Sequence, residues 1–203
     1  MEIERGSGRL VALEGIDNGG KSSHIDRLER RLLARGISCS ITKELSTPVG
    51  ELVWKYLREG NFSPHLKTLL FAADRVERID KQVKPALQEG RVVLADRWSL
   101  SAIVYRGVEG FDTEYVLAVN SKTMQPDKMF LIDIPAELSV KRGELGNKPH
   151  PYTIEFLDNA RKHYLELATL DKNIEVIDGT QPFDVINDHL FQQILKLREI
   201  NNG

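Results

Sequence analysis

The chain has 203 residues, a formal net charge of −2 and one cysteine, Cys39. This length fits one α/β domain with a sizeable core. A single cysteine excludes an internal disulfide framework, and the near-zero charge excludes a broad basic surface for a nucleic acid polymer. The charged N-terminus lacks an apolar segment, and no stretch approaches 18 consecutive apolar residues, so we predict a cytoplasmic protein without a membrane span.

Strand and helix patterns alternate along the chain, which predicts an α/β fold with a five-stranded, mostly parallel sheet flanked by helices. We predict a single domain over residues 1–203. The predicted strands are 10–14, 38–43, RVVLADR, KMFLIDI and NIEVID. The predicted helices are 21–35, 48–58, 66–89 with an interruption at Pro85, 99–106, and a last helix after Pro182.

A phosphate-binding loop follows the first strand. GIDNGGKS, residues 15–22, matches G-x-x-x-x-G-K-[ST] and opens an amphipathic helix. In such a loop the lysine reaches the β- and γ-phosphates, the hydroxyl after it binds Mg²⁺, and the helix N-terminus favours the anion. The predicted ATP-binding residues are Gly15, Ile16, Asp17, Asn18, Gly19, Gly20, Lys21, Ser22 and Ser23.

The remaining sequence favours a small-molecule kinase among proteins with this loop. A guanine-reading N-K-x-D is missing, because NKPH at residues 147–150 lacks the aspartate. Two glycines and two prolines in GELGNKPHPY forbid a continuous helix there, which favours a lid segment at about 141–153. Helical patterns lie on both sides of this stretch. A plain surface loop is the alternative for this segment.

Two pairs of residues are candidates for binding a second nucleotide. Asp96 and Arg97 end the third strand, where ligands of open α/β sheets bind, so we expect Asp96 near the metal ion and Arg97 near an anion. Phe71 and Arg75 are four residues apart and share a helix face. A ring and a guanidinium on one face can hold a planar base by stacking and by its edge, although core packing is the alternative for Phe71.

These segments together resemble one known family. GIDNGGKSS, LLFAADR, VVLADRWSLSAIVYRG, PDKMFLIDI and VKRGELG resemble the thymidylate kinases in order and spacing, over nearly the whole chain. The resemblance implies a P-loop kinase fold and transfer of the γ-phosphate of ATP to dTMP, with Mg²⁺, giving dTDP for dTTP synthesis. It also implies a homodimer.

The resemblance assigns a role to several residues. It places Asp17 at the 3′-hydroxyl region of dTMP and Phe71 on the thymine ring. It places Arg75 beside the base and the acceptor phosphate, Arg97 at the acceptor phosphate, and Asp96, with Ser22, at the metal ion.

Further residues of the same stretch surround the thymine and the sugar. These are Ser101 and Tyr105, and the Tyr105 ring would block a ribose 2′-hydroxyl. Ile103 stands where many members have a glutamine near the base, so a direct base contact is missing at that position.

The chain departs from the family in the phosphate loop, where Asn18 replaces the arginine of some members. Other members place basic residues in the lid, and here the lid offers Lys141, Arg142 and Lys148. Arg142 is our candidate for the transferred phosphate, because a guanidinium binds phosphoryl oxygens bidentately and stays charged. The alternative is that Arg142 only caps its own helix.

No general base is needed if the acceptor is a phosphate, since its second pKa is about 6. A different deoxynucleotide kinase is one alternative. A nucleoside kinase is another, and it would need a carboxylate base, for which Glu44 is the candidate. A non-catalytic nucleotide-binding protein is the alternative from another class, and the intact Lys21, Ser22 and strand-end Asp-Arg pair argue against it.

Overall fold

The computed structural model describes residues 6–60, 62–121, 123–146 and 152–199. Their strands are β1 (Arg9–Glu14), β2 (Cys39–Lys43), β3 (Val92–Asp96), β4 (Lys128–Asp133) and β5 (Ile174–Asp178). They form one sheet in the order β2-β3-β1-β4-β5, and every neighbouring pair is parallel. The predicted α/β fold with five strands is confirmed, and the sheet of the described residues is parallel throughout.

The central strands are buried on both faces. Every residue of β1 and β3 is buried, as continuous apolar runs such as VVLAD require in a parallel sheet. Alternate residues of β1 serve two different cores, because successive side chains point to opposite faces of a strand. Leu10 and Ala12 belong to one core, and Val11 and Leu13 belong to the other.

Helices cover both faces of this sheet. The described helices are α1 (Lys21–Ala34), α2 (Pro48–Glu59), α3 (Pro64–Arg78), α4 (Lys84–Gln88), α5 (Ser99–Val108), α6 (Thr113–Asn120), α7 (Ala136–Leu145), α8 (Ile154–Leu170) and α9 (Phe183–Glu199). Buried side chains of α1 and α9 fill the core on one face, and those of α5 and α8 contribute to the core on the other. None of the helices in this part of the chain combines the length and the hydropathy that a bilayer crossing requires.

The helix predicted over 66–89 is divided in the structure, and α6 is a helix that the sequence did not predict. A π-helical segment, Ile79–Val83, separates α3 from α4. This segment lies just before Pro85. In an α-helix a proline has no N–H to donate, and its ring clashes with the carbonyl group of the residue four positions earlier. The wider turn of the π-helix accommodates the proline ring. The short helix α6 lies in a segment for which the sequence predicted no element.

The first glycine of the phosphate loop is fixed by its surroundings. Gly15 has φ of 131°, and a Cβ added there would lie 2.5 Å from the carbonyl oxygen of Ile132. We expect Gly15→Ala to lower the free energy of unfolding by about 2–4 kcal/mol, because it combines backbone strain with overpacking.

Urea denaturation with Gly36→Ala as the matched control measures this. Gly36 also has positive φ, 70°, but a Cβ there would meet nothing within 4 Å. The control should therefore lose only about 1–2 kcal/mol, the conformational strain alone. Equal losses in both variants would contradict the close packing of Gly15 on β4.

Candidate active site

A cleft of about 1080 Å³ opens beyond the carboxyl ends of the strands, where parallel α/β sheets bind their ligands. The phosphate loop, the segment after β2, the helices α3 and α5, the end of α7 and the segment after β5 all contribute to its lining. The volume slightly exceeds the usual range for small-molecule pockets, roughly 300–1,000 Å³, so it suits more than one small ligand.

The lysine of the phosphate loop is hydrogen-bonded to the backbone of the same loop. The Lys21 ammonium donates to the carbonyl oxygens of Gly15, at 3.1 Å, and of Ile16, at 2.7 Å. Burial, and then the nearby charge of Arg97, lower the pKa of Lys21 to about 8. A phosphate anion close to this ammonium would favour the charged form and raise that pKa again. The lysine is therefore placed to neutralise a bound polyphosphate.

Helix α7 clamps the loop from the side. Asn18 adopts φ of 55°, a left-handed conformation that asparagine tolerates better than most residues. Its amide donates to the Ser139 carbonyl oxygen at 3.1 Å, and the Ser139 hydroxyl donates to the Asp17 carbonyl oxygen at 2.8 Å. Asn18 thus has a structural role at the position where some family members carry an arginine. Nothing in the sequence pattern singled out Ser139.

The two oxygen groups predicted to bind the metal ion lie next to each other at the start of α1. The Ser22 hydroxyl donates to the Asp96 carboxylate, with 2.5 Å between Oγ and Oδ2. The described residues contain no group of three or more His, Cys, Asp or Glu side chains that could hold a metal ion by themselves. A hydroxyl and one carboxylate fit Mg²⁺, which binds to few protein groups and takes its other ligands from substrate phosphates and water. The two predicted metal ligands are thus adjacent, and the metal ion itself stays a prediction.

Arg97 is held in a strained conformation at the centre of the cleft. Its φ is 69°, which is uncommon for a residue with a side chain. The guanidinium pairs with the Asp17 carboxylate and donates to the hydroxyls of Ser101, at 3.0 Å, and Tyr105, at 3.3 Å. Such strain persists only where surrounding contacts impose it, and it is concentrated at functional sites. The structure therefore brings together four residues that the sequence assigned to dTMP.

A buried glutamate that the sequence analysis missed supports this arrangement. Glu14 ends β1, and its carboxylate accepts from the backbone N–H groups of Trp98, at 2.9 Å, and Ser101, at 3.3 Å. The hydroxyls of Ser101 and Tyr164 also donate to it. Burial raises the pKa of Glu14. A carboxylate at the end of a fully buried strand was the available signal, because such a group needs partners.

Phe71 and Arg75 lie on the same helix face but differ in burial. Phe71 is half-buried and lines the cleft, and its stacking on a base stays a prediction. Arg75 is fully buried, and the cleft lining does not include it. Its guanidinium contacts the carboxylate of Glu44 and the carbonyl oxygen of Trp98, each at 3.5 Å, and the side chain of Asn120. The contact of Arg75 with a nucleotide stays a prediction.

Glu44 lies between this buried arginine and the cleft. It lines the cleft together with Lys43 and pairs with Arg75. The turn that presents Glu44 is fixed by Asp74, which accepts from the Leu45 N–H at 3.0 Å and the Thr47 hydroxyl at 2.7 Å. Asp74, which precedes Arg75 in the segment LLFAADR, is thus a structural residue.

Arg142 lies at another part of the cleft, near the segment after β5. Its guanidinium donates to the Gly179 carbonyl oxygen at 3.1 Å. Nearby, His24 stacks on Phe183 with 4.3 Å between ring centroids, and both line the cleft. Burial, and then the charge of Arg142, lower the pKa of His24 to about 4, so this ring is neutral at pH 7. Arg142 therefore joins α7 to the segment after β5, beside the stacked rings of His24 and Phe183.

The other lid residues are less informative. Lys141 is exposed on α7. Lys148 and the centre of the predicted lid, 147–151, lie outside the described residues.

Comparison with known proteins agrees with this geometry. The family model described as "Thymidylate kinase" matches residues 13–190. A protein of Thermosipho melanesiensis named "Thymidylate kinase" is 34% identical over 195 residues, which covers 93% of this chain and 96% of the relative. Proteins named "Probable thymidylate kinase" from Thermococcus kodakarensis and Pyrobaculum calidifontis are 31% and 34% identical. These alignments cover 91% and 85% of this chain, and 96% and 89% of the relatives.

Proposed function

Because the chain belongs to the thymidylate kinase family, we propose that it transfers the γ-phosphate of ATP to dTMP, giving dTDP and ADP, in the cleft beyond β1 and β3. The observation that carries this proposal is the meeting of the phosphate loop with Arg97. The loop binds the donor phosphates, and Arg97, which pairs with Asp17 of the same loop, binds the acceptor phosphate. The two reacting groups are thereby held next to each other.

ATP occupies the part of the cleft formed by residues 15–23 and the segment after β5. Lys21 and the loop N–H groups bind the phosphates, with the N-terminus of α1 directed at them. The flat surface of Phe183 and the guanidinium of Arg142 lie on the adenine side, where a ring can stack and a cation can bind an aromatic face. The alternative role of Arg142, a contact with the transferred phosphate, stays a prediction, because its guanidinium here bonds to the Gly179 carbonyl oxygen.

Mg²⁺ is the metal ion of this reaction. Ser22 and Asp96 would hold it, as their adjacent oxygens suit a hard cation that also binds phosphates. When bound, the ion neutralises negative charge that develops on the phosphoryl oxygens. In the protein, Lys21 and Arg97 supply positive charge from the loop and from the strand end.

dTMP occupies the part of the cleft between the phosphate loop and α3. Arg97 binds its phosphate, Asp17 binds the 3′-hydroxyl region, and Phe71 stacks on the thymine ring. Ser101 holds the Arg97 guanidinium in place, and the Tyr105 ring, whose hydroxyl accepts from Arg97, would block a ribose 2′-hydroxyl. This arrangement favours deoxynucleotides.

The chemistry is positioning and charge neutralisation. The acceptor oxygen is already anionic at neutral pH, since the second pKa of a phosphate monoester is about 6. The Glu44 carboxylate is paired with the buried Arg75, which is a poor position for a general base and favours a monophosphate acceptor over a nucleoside. Lid closure would exclude water, which otherwise competes for the γ-phosphate.

A coupled ADP-release assay with each nucleoside monophosphate, and with thymidine, tests the proposal. We expect ATP- and Mg²⁺-dependent turnover with dTMP far above that with purine nucleotides. ADP release that is equal with and without any monophosphate would contradict it. Preference for thymidine over dTMP would favour the nucleoside kinase alternative instead.

We propose that the enzyme acts as a homodimer in the cytoplasm. The support is an apolar stripe on α3, where Leu69, Ala73 and Val76 are exposed at helical spacing. A second copy of the chain is the occupant that the family resemblance implies for such a face. Sedimentation equilibrium measures the mass of the assembly, and a monomer at micromolar concentration would contradict the dimer.

The stacking role of Phe71 gives a prediction that separates this function from core packing. Base–aromatic stacking contributes roughly 1–3 kcal/mol, so Phe71→Ala should lower kcat/KM for dTMP about ten- to a hundredfold. The KM for ATP should stay nearly constant. If Phe71 were a core residue instead, the variant would lose about 3–5 kcal/mol of stability and bind both substrates poorly. Thermal melting together with both KM values on this one variant distinguishes the two cases.

A further inference from the structure

The Glu14 carboxylate is the buried end of a hydrogen-bond network that reaches Arg97. Glu14 is 0% exposed, and its Oε1 atom accepts from the backbone N–H groups of Trp98 and Ser101. Its Oε2 atom faces the hydroxyls of Ser101 and Tyr164. An ionised carboxylate offers about four acceptor sites, two on each oxygen. Each of these sites faces a donor, although Glu14 itself does not line the cleft.

The two hydroxyls connect this carboxylate to the guanidinium of Arg97. The Nη1 atom of Arg97 donates to the hydroxyl oxygens of Ser101, at 3.0 Å, and Tyr164, at 3.4 Å. A guanidinium only donates and an ionised carboxylate only accepts, whereas a hydroxyl has one proton and two lone pairs. Both hydroxyls therefore present lone pairs to Arg97 and direct their protons away from it.

Ser101 sets the direction of the network. Its hydroxyl oxygen lies within hydrogen-bond distance of Arg97, of the Tyr164 hydroxyl at 2.8 Å, and of the Glu14 carboxylate. These three contacts equal its capacity of two lone pairs and one proton. The proton goes to Glu14, which leaves one lone pair for Arg97 and one for Tyr164. Burial raises the pKa of Glu14, but a protonated carboxyl would have to donate to a hydroxyl and so turn a proton toward Arg97.

We propose that Glu14 is a positioning residue for the acceptor phosphate, because it holds the hydroxyls of Ser101 and Tyr164 in the orientation that accepts from Arg97. The guanidinium is then fixed before the acceptor arrives, and such preorganised charge needs no rearrangement during the reaction. Glu14 acts only through Arg97, since it does not line the cleft. The inference rests on the proposed function, because it needs Arg97 to bind the acceptor phosphate.

Steady-state kinetics of Glu14→Gln tests the inference. The amide has nearly the same shape, but its nitrogen donates where the carboxylate only accepts. With the amide oxygen opposite the two N–H groups, the amide nitrogen faces Ser101, whose oxygen then has more donors than lone pairs. We expect kcat/KM for dTMP to fall roughly 10- to 100-fold, the usual effect of losing a hydrogen bond to a charged group. The KM for ATP should stay nearly constant.

The matched control is Asp127→Asn, which makes the same change from acid to amide. Asp127 accepts from the backbone N–H of Leu10 at 2.7 Å, near the opposite end of β1 from Glu14, and it does not line the cleft. This variant should keep wild-type KM values for dTMP and ATP, even if its melting temperature falls.

A double-mutant cycle with Arg97→Ala separates positioning from a general structural role. If Glu14 acts through Arg97, Glu14→Gln should cause no further loss of kcat/KM for dTMP once the guanidinium is absent. Tyr164→Phe removes one hydroxyl of the network without adding a donor, so it tests the inference even if Glu14→Gln does not fold. It should lower kcat/KM for dTMP roughly three- to tenfold, again with no further loss beside Arg97→Ala.

The outcomes separate this inference from the proposed function. Folded Glu14→Gln and Tyr164→Phe variants with wild-type kcat/KM for dTMP would overturn the positioning role and leave the kinase activity standing. An equal rise in KM for both substrates, or the same loss with and without Arg97, would overturn it as well, because Glu14 would then serve the fold. A wild-type protein that phosphorylates no pyrimidine monophosphate would overturn the proposed function and this inference with it.

Discussion

Replacing Lys21 with alanine lowers kcat by about 10³-fold or more and leaves the fold intact. A preorganised cation at the transferring phosphoryl group contributes a large share of transition-state stabilisation, and removal of one such donor reduces kcat by roughly 10²–10³-fold in other enzymes. The Lys21 ammonium bonds to two carbonyl oxygens of its own loop, and burial lowers its pKa to about 8. Because burial already disfavours the charged form of this side chain, loss of the charge should not destabilise the fold.

Lys43→Ala is the matched control for Lys21. Lys43 is also a lysine in the cleft lining, but it is exposed and lies outside the phosphate loop. We expect less than about a tenfold change in kcat, since exposed charges contribute little. Melting temperatures of both variants should stay within about 4 °C of the wild type, equivalent to roughly 1 kcal/mol for a chain of this size. Near-normal turnover of Lys21→Ala would refute the function assigned to the loop.

Arg97→Ala should lower kcat/KM for dTMP by about 10³-fold or more while the KM for ATP changes little. Arginine contacts to a transferring phosphoryl group contribute three to five orders of magnitude in other phosphotransferases. Arg97 holds its position through contacts with Asp17, Ser101 and Tyr105. Loss of affinity for ATP with unchanged dTMP kinetics would instead assign Arg97 to the donor nucleotide.

The backbone of Arg97 provides an internal control for this variant. Because its φ is 69°, glycine relieves strain that alanine retains. Arg97→Gly should therefore melt at a higher temperature than Arg97→Ala while showing the same loss of activity. An activity that followed stability between the two variants would mean that the loss comes from the fold and not from the guanidinium.

Periodicity predicted most of the fold, because strand and helix patterns are local. The run VVLAD lies in a central strand, and the segment after GGK forms an amphipathic helix. The interruption predicted in segment 66–89 was also a local signal, because it came from Pro85. The structure adds its form, a π-helical segment over Ile79–Val83 just before the proline.

The candidate site shows the same division. The residues of the phosphate loop are contiguous, so their pattern could be recognised from the chain alone. The partners of Arg97 come from the loop, from α5 and from Tyr164 of α8, and no spacing in the sequence reveals that they meet. Glu14 was overlooked for the same reason, because its hydrogen bonds run to a segment more than 80 residues away.

The sequence by itself determined the α/β class, the phosphate loop and the kinase family, since each depends on residue types at fixed local spacing. Only the tertiary structure decided which charged side chains reach the cleft. Arg75 and Arg106 are both arginines on helices beside the cleft, yet Arg75 is buried against Glu44 and Arg106 lines the cleft over Phe71. The packing of α3 against α5 sets this difference, because it fixes which helix face is covered and which is open to a ligand.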